Sequence, residues 1–430
     1  MIRKPLVYDA GFFETIIVML FCHASVTFLC MNVMFDLVIF GIPLFLLNAI
    51  GILQSTAFYK LTSMIINWTT PIVYGIPMVL SGTKLYIDNI DILLDSKSTD
   101  SLLLANHGSR IDWMVAMFLG HLTTLDKHPC KRCRVGFVCE ALIQLMPLIG
   151  WYRKIICNDI FVWRSFDKDA DTIKKNIAQF KSSDEHRMLF LSPEGVVVDH
   201  GEKDMNYVHE CRSFCKNLGY KPFEYVLTPR YKGTTCLLDQ IAEGGPFVSA
   251  CLVFIREGKL LNCQLLSSER IIPDIYDLNQ GITGKEISIY VHVRPMEVKI
   301  GHDFDAKEAL MEEYLWKDSI LAQWDEHLKG GNLSNSFAQF TEVEKNRNET
   351  LTNHLLHVIV MVGMSITFNV LDVLIKMFCW IFVCVSFTHT AGWLVNESSM
   401  ESVPFETGIK AFITFIISLK QKHMNHKKHV

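Results

Sequence analysis

Two long stretches near the amino end of the chain contain no Asp, Glu, Lys or Arg. Thr15–Phe35 is 21 residues long and Leu37–Tyr59 is 23 residues long, and only Asp36 separates them. A helix crosses the hydrocarbon core of a bilayer with about 20 apolar residues. We therefore predict an N-terminal membrane anchor over residues 1–83, with one or two crossings.

A third uncharged stretch, Leu61–Thr83, contains Pro71, Gly75 and Pro77. Proline removes a helical hydrogen bond and clashes with the preceding turn. We expect these three residues to interrupt the stretch, so that it lies in the membrane interface or against protein.

The carboxyl end is also apolar. Val358–Leu371 has 14 residues without a formal charge and Met377–Val395 has 19, so we predict C-terminal membrane segments and a basic tail over residues 351–430. The tail Lys427–Val430 resembles the dilysine retrieval signal of endoplasmic-reticulum membrane proteins. We therefore expect a multi-pass protein of that membrane, with a mitochondrial or mitochondria-associated membrane as the alternative.

The charge balance argues against a nucleic-acid partner. The chain has 41 Lys and Arg against 45 Asp and Glu, a formal net charge of −4, whereas non-specific nucleic-acid binding depends on a strong basic field. Any anion-binding site must therefore be local.

Thirteen cysteines, an odd number spread along the chain, favour buried thiols in a reducing compartment. Cys130 and Cys133 lie near His121 and His128, a spacing that suits zinc. Because a second pair at such a spacing is missing, we predict no metal site.

Between residues 84 and 350, short apolar runs alternate with amphipathic segments, which is typical of an α/β domain. The predicted strands are Leu102–Ala105, Val135–Val138, Ile156–Trp163, Met188–Ser192, Tyr225–Leu227, Ala250–Ile255 and Ile287–Val293. The predicted helices are Asp112–Leu122, Asp167–Phe180 and Asp305–Lys329.

A histidine and an aspartate stand at the first of these strand-to-helix junctions. His107 and Asp112 are five positions apart, so their side chains meet only if His107 lies in the turn before the helix, which Gly108 makes easy. A carboxylate that holds one imidazole nitrogen supports general base catalysis by the other. Alone, the pair is weak evidence, because a single histidine more often has a structural role.

Polar residues also follow three other predicted strands. They lie in Phe161–Arg164, Leu191–Gly195 and Leu227–Arg230. Open α/β sheets bind ligands at the carboxyl ends of their strands. Together with His107, these segments predict one site.

The four segments Asn106–Asp112, Phe161–Arg164, Pro193–Gly195 and Thr228–Arg230 resemble, in residue type, order and spacing, the four motifs of the glycerophospholipid acyltransferases. The resemblance covers about residues 84–298. Three stretches look closest to the lysocardiolipin acyltransferase branch, whose members also act on other lysophospholipids, including lysophosphatidylinositol. These stretches are Asp112–Met114, Glu224–Arg230 and Val291–Pro295.

The resemblance implies a mixed sheet flanked by helices, held by N- and C-terminal membrane helices. It implies that His107 deprotonates a glycerol hydroxyl of a lysophospholipid, that Asp112 orients His107, and that the oxygen then attacks the thioester of acyl-CoA. Acyl-CoA is thus a substrate, the lipid bilayer is a partner, and no cofactor or metal is expected. The residues expected to bind substrate are Asn106, Arg164, Glu194, Gly195, Pro229 and Arg230.

One position departs from the family pattern. Val196 follows Gly195 where the family usually has threonine, so a hydroxyl is missing from the predicted acceptor site. A catalytically inactive lipid-binding protein therefore stays open as an alternative. Within the enzymes, a lysophosphatidate acyltransferase is the alternative, and a covalent mechanism through Ser109 is a further one.

Basic residues cluster between residues 127 and 154. A solvated loop and a patch that faces anionic headgroups or the phosphates of coenzyme A are both open interpretations. The members are Lys127, Lys131, Arg132, Arg134, Arg153 and Lys154.

Overall fold

The computed structural model describes residues 12–96, 100–122, 134–163, 165–181, 186–199, 201–241, 246–297, 306–330 and 340–342. The chain divides into two compact units, residues 1–31 with 358–430, and residues 32–357. The predicted C-terminal membrane segments lie outside the described residues. The predicted boundaries at residues 83 and 350 stay predictions.

The amino end forms a long apolar helix. Helix α1 (Phe12–Asp36) continues through a π-helical turn (Leu37–Gly41) into α2 (Ile42–Ala49). Among the described residues, one helix, Phe13–Ala49, is long and apolar enough to cross a membrane, with a mean hydropathy of 2.1. A turn over residues 50–54 then interrupts the second uncharged stretch, which we had predicted to continue to residue 59.

The next helix, α3 (Ser55–Tyr74), continues as a π-helical segment (Gly75–Leu80). Pro71 therefore does not interrupt the helix as expected, whereas the α-helical pattern does end before Gly75 and is replaced by a π-helical one that contains Pro77. Local π adjustments satisfy the backbone groups that a proline frees, and so let a helix pass through it.

The strands form one mixed sheet within residues 32–357. In the described residues they are β1 (Lys84–Ile87), β2 (Ser101–Ala105), β3 (Arg134–Glu140), β4 (Ile160–Val162), β5 (Arg187–Leu191), β6 (Phe247–Arg256), β7 (Lys259–Leu260), β8 (Ser288–Pro295) and β9 (Thr341–Glu342). Their order is β4-β3-β5-β2-β6-β8-β1-β9, and β7 pairs with β6. The first five strands in this order are parallel to one another, and β8 is antiparallel to β6.

Helices cover both faces of the sheet, which confirms the predicted mixed α/β architecture. The remaining α-helices are α4 (Ile90–Asp95), α5 (Asp112–His121), α6 (Ile149–Ile155), α7 (Phe166–Lys181), α8 (Glu202–Asn217), α9 (Tyr231–Ile241), α10 (Ile275–Asn279) and α11 (Ala306–Leu328). Two 3₁₀ helices span Ala141–Leu145 and Gln280–Thr283.

Strand β2 shows why this sheet is buried on both sides. Its sequence is apolar apart from Ser101, and every residue is buried, as expected for a central parallel strand. Because side chains alternate, Leu103 packs on the face covered by α4 and α5, whereas Leu102 and Leu104 pack on the face of α7, α9 and α11.

Two predicted strands differ in the structure. Tyr225–Leu227 is irregular, because the backbone N–H groups of Glu224, Tyr225 and Val226 donate to the Asp318 carboxylate rather than to a strand. The strand predicted over Ile156–Trp163 is limited to Ile160–Val162.

The hypothesis of a basic patch is wrong for two of its members. Arg134 is fully buried, donates to Thr62 and Ser63 of α3 and to the carbonyl of Ile156, and stacks on Tyr59 and Phe180.

Arg153 is the second such member, and it donates to the buried Asp159 carboxylate at 2.6 Å. Three further members, Lys127, Lys131 and Arg132, lie outside the described residues.

Candidate active site

The predicted site residues lie at one edge of the sheet. Strands β4, β3, β5 and β2 are neighbours and parallel, so their carboxyl ends meet at the same edge. His107 follows β2, the Pro193–Gly195 turn follows β5, and Trp163 follows β4. Arg164, which we expected to bind the acceptor, lies outside the described residues.

His107 and Asp112 are in contact. The imidazole Nδ1 of His107 is 2.8 Å from Oδ2 of Asp112. The Asp112 side chain is buried, whereas that of His107 is 29% exposed. His107 lies in the turn before α5, and Asp112 is the first residue of that helix. This placement lets the buried carboxylate of Asp112 hold the solvent-accessible imidazole of His107.

Ser109 fixes the carboxylate of this pair. Its backbone N–H donates to Asp112 Oδ2 at 3.2 Å, and its hydroxyl donates to Asp112 Oδ1. The hydroxyl oxygen also accepts the backbone N–H of Ile111 at 3.2 Å. The serine is fully buried, so it acts as a positioning residue for Asp112, and the geometry does not favour a serine nucleophile.

Two residues hold the turn between β2 and α5. A Cβ at Gly108 would lie 2.7 Å from Nδ2 of Asn262, so a larger residue does not fit. The buried Asn106 amide donates to Leu252 O at 3.0 Å and accepts from Leu252 N at 2.7 Å. Asn106, which we expected to bind substrate, therefore ties the end of β2 to β6.

Glu194 connects its own turn to the turn of His107 and to Leu227, the residue before the Thr228–Arg230 segment. Its Oε1 accepts the backbone N–H of His107 at 2.9 Å, and its Oε2 accepts that of Leu227 at 3.4 Å. Burial raises the pKa of the Glu194 carboxyl to about 7, although these N–H groups oppose the shift. Both carboxylate oxygens thus bind backbone, which makes Glu194 a positioning residue in the structure.

The turn after β5 is closed by Gly195 and Arg230. Gly195 has φ = +73°, a conformation that glycine adopts without strain, and its N–H donates to Ser192 O at 3.0 Å. The Arg230 N–H donates to Pro193 O at 2.9 Å, and its exposed guanidinium donates to the Tyr207 hydroxyl at 2.7 Å.

A cavity of about 680 Å³ lies beside this turn. It is bordered by the carboxyl ends of β3, β4 and β5 and by helices α7, α8 and α9, and Pro229 and Arg230 are among its lining residues. The sequence predicted neither Tyr207 nor Cys211 of this lining as a substrate-binding residue. Their signal is weak, because they lie on a helix far along the chain from the motifs.

Val196, the departure from the family pattern, is half-buried and packs on an apolar cluster that includes Val198, Val208 and Leu227. At this position a methyl group of valine therefore takes the place of the threonine hydroxyl that the family pattern has, and it packs on the apolar cluster.

The described residues contain no group of three or more His, Cys, Asp or Glu that could hold a metal ion. Cys130 and Cys133 lie outside the described residues.

The chain is similar in sequence to curated acyltransferases. It is 28% identical over 145 residues to mouse lysocardiolipin acyltransferase 1, covering 34% of this chain and 35% of that protein. It is 21% identical over 272 residues to an uncharacterised acyltransferase of Schizosaccharomyces pombe (62% and 71%) and 24% identical over 254 residues to a probable 1-acyl-sn-glycerol-3-phosphate acyltransferase of Arabidopsis thaliana (59% and 60%). No protein-family model matches the chain.

The chain is thus similar to glycerophospholipid acyltransferases, at 21–28% identity over parts of their length. The match spans about a third of the length of the mouse protein. In the described residues, Asp112 contacts the ring of His107 and Glu194 accepts its backbone N–H, so the first and third of the four segments meet at His107.

Proposed function

We propose that this protein is a member of the glycerophospholipid acyltransferase family and an acyl-CoA:lysophospholipid O-acyltransferase that acts at a membrane. The observation that carries the proposal is the position of the His107–Asp112 pair: it lies in the turn at the carboxyl end of β2, where the imidazole is 29% exposed and is held by the buried Asp112 at 2.8 Å. The cavity beside the Pro193–Gly195 turn, which His107 and Asp112 do not line, supports the proposal because a lysophospholipid and a long acyl chain both need a large apolar-walled space.

In the proposed reaction, Nε2 of His107 takes the proton of a free glycerol hydroxyl while Asp112 holds Nδ1 and stabilises the imidazolium. The acceptor oxygen forms a bond to the thioester carbonyl carbon of acyl-CoA. The carbon–sulfur bond then breaks, and the coenzyme A thiolate leaves and takes the proton back from His107. No acyl-enzyme forms, and no metal or cofactor takes part.

For acceptor binding, we propose that Arg164 and Arg230 hold the phosphate. A guanidinium suits a phosphate because its planar fork donates two parallel hydrogen bonds. Arg230 lies on the cavity wall, and its guanidinium donates to the Tyr207 hydroxyl from Nε at 3.2 Å and from Nη2 at 2.7 Å. Asn106, Glu194 and Gly195 act indirectly: each fixes the backbone of a turn, and the turns position the residues that contact the substrate.

A product screen tests the activity. The full chain, reconstituted in vesicles, is incubated with acyl-CoA and a panel of lysophospholipids, and products are identified by mass. We expect diacyl products from lysocardiolipin or lysophosphatidylinositol, and none from a matched His107→Ala preparation. Equal rates in the two preparations would contradict the role of His107.

A lysophosphatidate acyltransferase is the second candidate, supported by the similarity to the probable 1-acyl-sn-glycerol-3-phosphate acyltransferase of Arabidopsis thaliana. Preference for lysophosphatidate over lysocardiolipin and lysophosphatidylinositol in the same screen would select it. An inactive lipid-binding protein is the candidate of another class, supported by Val196, and absence of product from every acceptor would select that. The proposed cellular site is the endoplasmic-reticulum membrane, and localisation of the tagged chain tests it.

Ser109→Ala separates the direct mechanism from a covalent one. Loss of a hydrogen bond to a charged group costs about 1.5–3 kcal/mol, so we expect the rate to fall about 10- to 100-fold with no burst of released coenzyme A from either protein. A burst in the wild type and complete inactivity of the alanine variant would identify Ser109 as the nucleophile.

A further inference from the structure

The segment after β3 exposes large apolar side chains. It comprises the 3₁₀ helix Ala141–Leu145 and helix α6 (Ile149–Ile155). Leu142 is 53% exposed, Leu145 62% and Trp151 47%. Residues 141–152 contain no charged residue. We call residues 141–155 the apolar hairpin.

The hairpin is a rigid unit. A Cβ at Gly150 would lie only 2.0 Å from the carbonyl oxygen of Ile143, so the two helices pack backbone to backbone. Lys154 Nζ donates to Gln144 Oε1 at 2.6 Å and crosslinks them again. On a 3₁₀ helix, residues three apart share a face, so Leu142 and Leu145 project together.

The hairpin adjoins apolar surface that belongs to the long N-terminal helix. Helix α6 contacts the π-helical turn Leu37–Gly41, and a Cβ at Gly41 would lie 2.8 Å from Cδ1 of Ile156. Beside Gly41, the apolar side chains of Val38, Ile39 and Ile42 are exposed. The exposed apolar surface is therefore shared between the hairpin and the helix that is suited to a bilayer.

The hairpin also lies at the functional edge of the sheet. It follows the carboxyl end of β3, and the 3₁₀ helix contacts β4, after which the exposed Trp163 follows. This is the edge at which His107 and the cavity lie. Trp151, Trp163 and Lys154 are exposed beside this apolar surface. Tryptophan and lysine are residue types that proteins place at the membrane interface.

We propose that the apolar hairpin is a second membrane-contact element, which inserts Leu142, Leu145 and Trp151 into a phospholipid bilayer beside the N-terminal helix. The contact turns the carboxyl edge of the sheet toward the lipid surface. Lys154 then lies at headgroup level, where a Lys is attracted to anionic lipid. The proposal concerns where the domain docks, and its main test does not depend on the proposed activity.

Photo-crosslinking in vesicles tests the contact directly. The full chain is reconstituted in phosphatidylcholine vesicles that contain 20% phosphatidylserine, a composition chosen for the assay at about the anionic content of a cytosolic leaflet. In separate proteins, Leu142, Leu145 or Leu266 is replaced by a benzophenone amino acid. Leu266 is the matched control, because it is 48% exposed and lies outside the hairpin. We expect phospholipid adducts at positions 142 and 145 and few at 266.

Two outcomes would overturn the proposal. One is lipid labelling at 142 and 145 that does not exceed labelling at 266. The other is crosslinking of these positions to a peptide of the same chain, such as one from residues 343–430, or to a second copy, since protein would then cover the surface. Both readouts are obtained without a turnover assay, so a failure here is distinct from a failure of the proposed function.

A pair of serine substitutions adds a functional measurement once an acceptor is known. In Leu142→Ser with Leu145→Ser, we expect the rate on vesicle-borne acceptor to fall about tenfold, because two exposed leucines no longer favour the lipid phase. The rate on a short-chain acceptor in solution stays unchanged. Leu266→Ser is the control. An equal loss on both acceptors would indicate a folding defect and count against the docking role.

Discussion

Two histidine–aspartate pairs in this protein have nearly the same geometry and opposite surroundings. His107 Nδ1 lies 2.8 Å from Asp112, and His292 Nδ1 lies 2.8 Å from Asp88. Each carboxylate also accepts a backbone N–H, from Ser109 in the first pair and from the residue after His292 in the second. A short contact to a carboxylate therefore does not distinguish a base from a structural histidine.

Surroundings make the difference. The His292 side chain is 4% exposed, and its Nε2 accepts the indole N–H of Trp324 at 2.8 Å. Tyr290 and Phe340 pack near the two rings. His292 lies within β8, whereas His107 lies in a turn at the sheet edge and is partly exposed. The position of the histidine at a strand end, rather than its contact with an aspartate, is therefore the feature that favours a catalytic role.

Alanine at the two histidines gives the largest expected contrast. His107→Ala removes the proposed general base and should lower kcat by about 10²- to 10⁴-fold while the protein keeps its thermal stability. His292→Ala leaves a buried indole N–H and a carboxylate without their partner and should cost about 1–3 kcal/mol of stability. Rates and unfolding temperatures of both variants check this. Loss of turnover in a folded His292→Ala protein would contradict the structural role of His292.

The aspartates sharpen the comparison. We expect Asp112→Asn to lower kcat about 100-fold, because the amide no longer stabilises the imidazolium. Asp88→Asn should instead lower the unfolding temperature with little change in rate. Steady-state kinetics and thermal unfolding on both proteins give the result, and a rate loss in Asp88→Asn equal to that in Asp112→Asn would contradict it.

Glu194 gives a pH-dependent effect. Its folded pKa of about 7 lies above the ordinary value of 4.5, so the folded protein holds this proton more tightly, and stability falls as the pH rises from about 4.5 to about 7. Glu194→Gln should reduce that fall, by on the order of 2 kcal/mol over the window.

Unfolding temperatures between pH 4.5 and 8 measure the effect. The exposed Glu269→Gln is the control and should follow the wild type. Asp274, whose pKa burial also raises to about 7, keeps part of the slope in all three proteins. Parallel profiles for wild type and Glu194→Gln would contradict the assignment.

Trp324→Phe gives the smallest expected effect. It removes the donor to His292 and some buried volume, which should cost about 1–2 kcal/mol of stability and leave kcat unchanged. Unfolding and rate measurements on this variant check it. A large drop in kcat would mean that the second pair reaches the active site.

The local parts of the site could be predicted from the sequence. The β2 strand, the turn at Gly108 and the α5 helix follow from apolar runs and turn residues, and they bring His107 to Asp112 within six residues of chain. The roles of Asn106 and Glu194 could not be predicted. Their partners are 146 and 87 residues away, and a pattern along the chain carries no information about such contacts.

The same limit explains the errors in the fold. Tyr225–Leu227 has the composition of a strand, but the N–H groups of Tyr225 and Val226 donate to Asp318, more than 90 residues away. Arg134 has the charge of a surface residue, but a helix from the amino end covers it. In both cases a distant partner overrides the local preference.

The burial of Arg134 has a practical consequence for making the protein without its amino-terminal helices. A shortened chain that starts at Lys84 would lack Thr62, Ser63 and Tyr59, all of which contact the guanidinium. An uncovered cation and the ring of Phe180 would then face solvent. A shortened protein that is meant to fold should therefore retain α3.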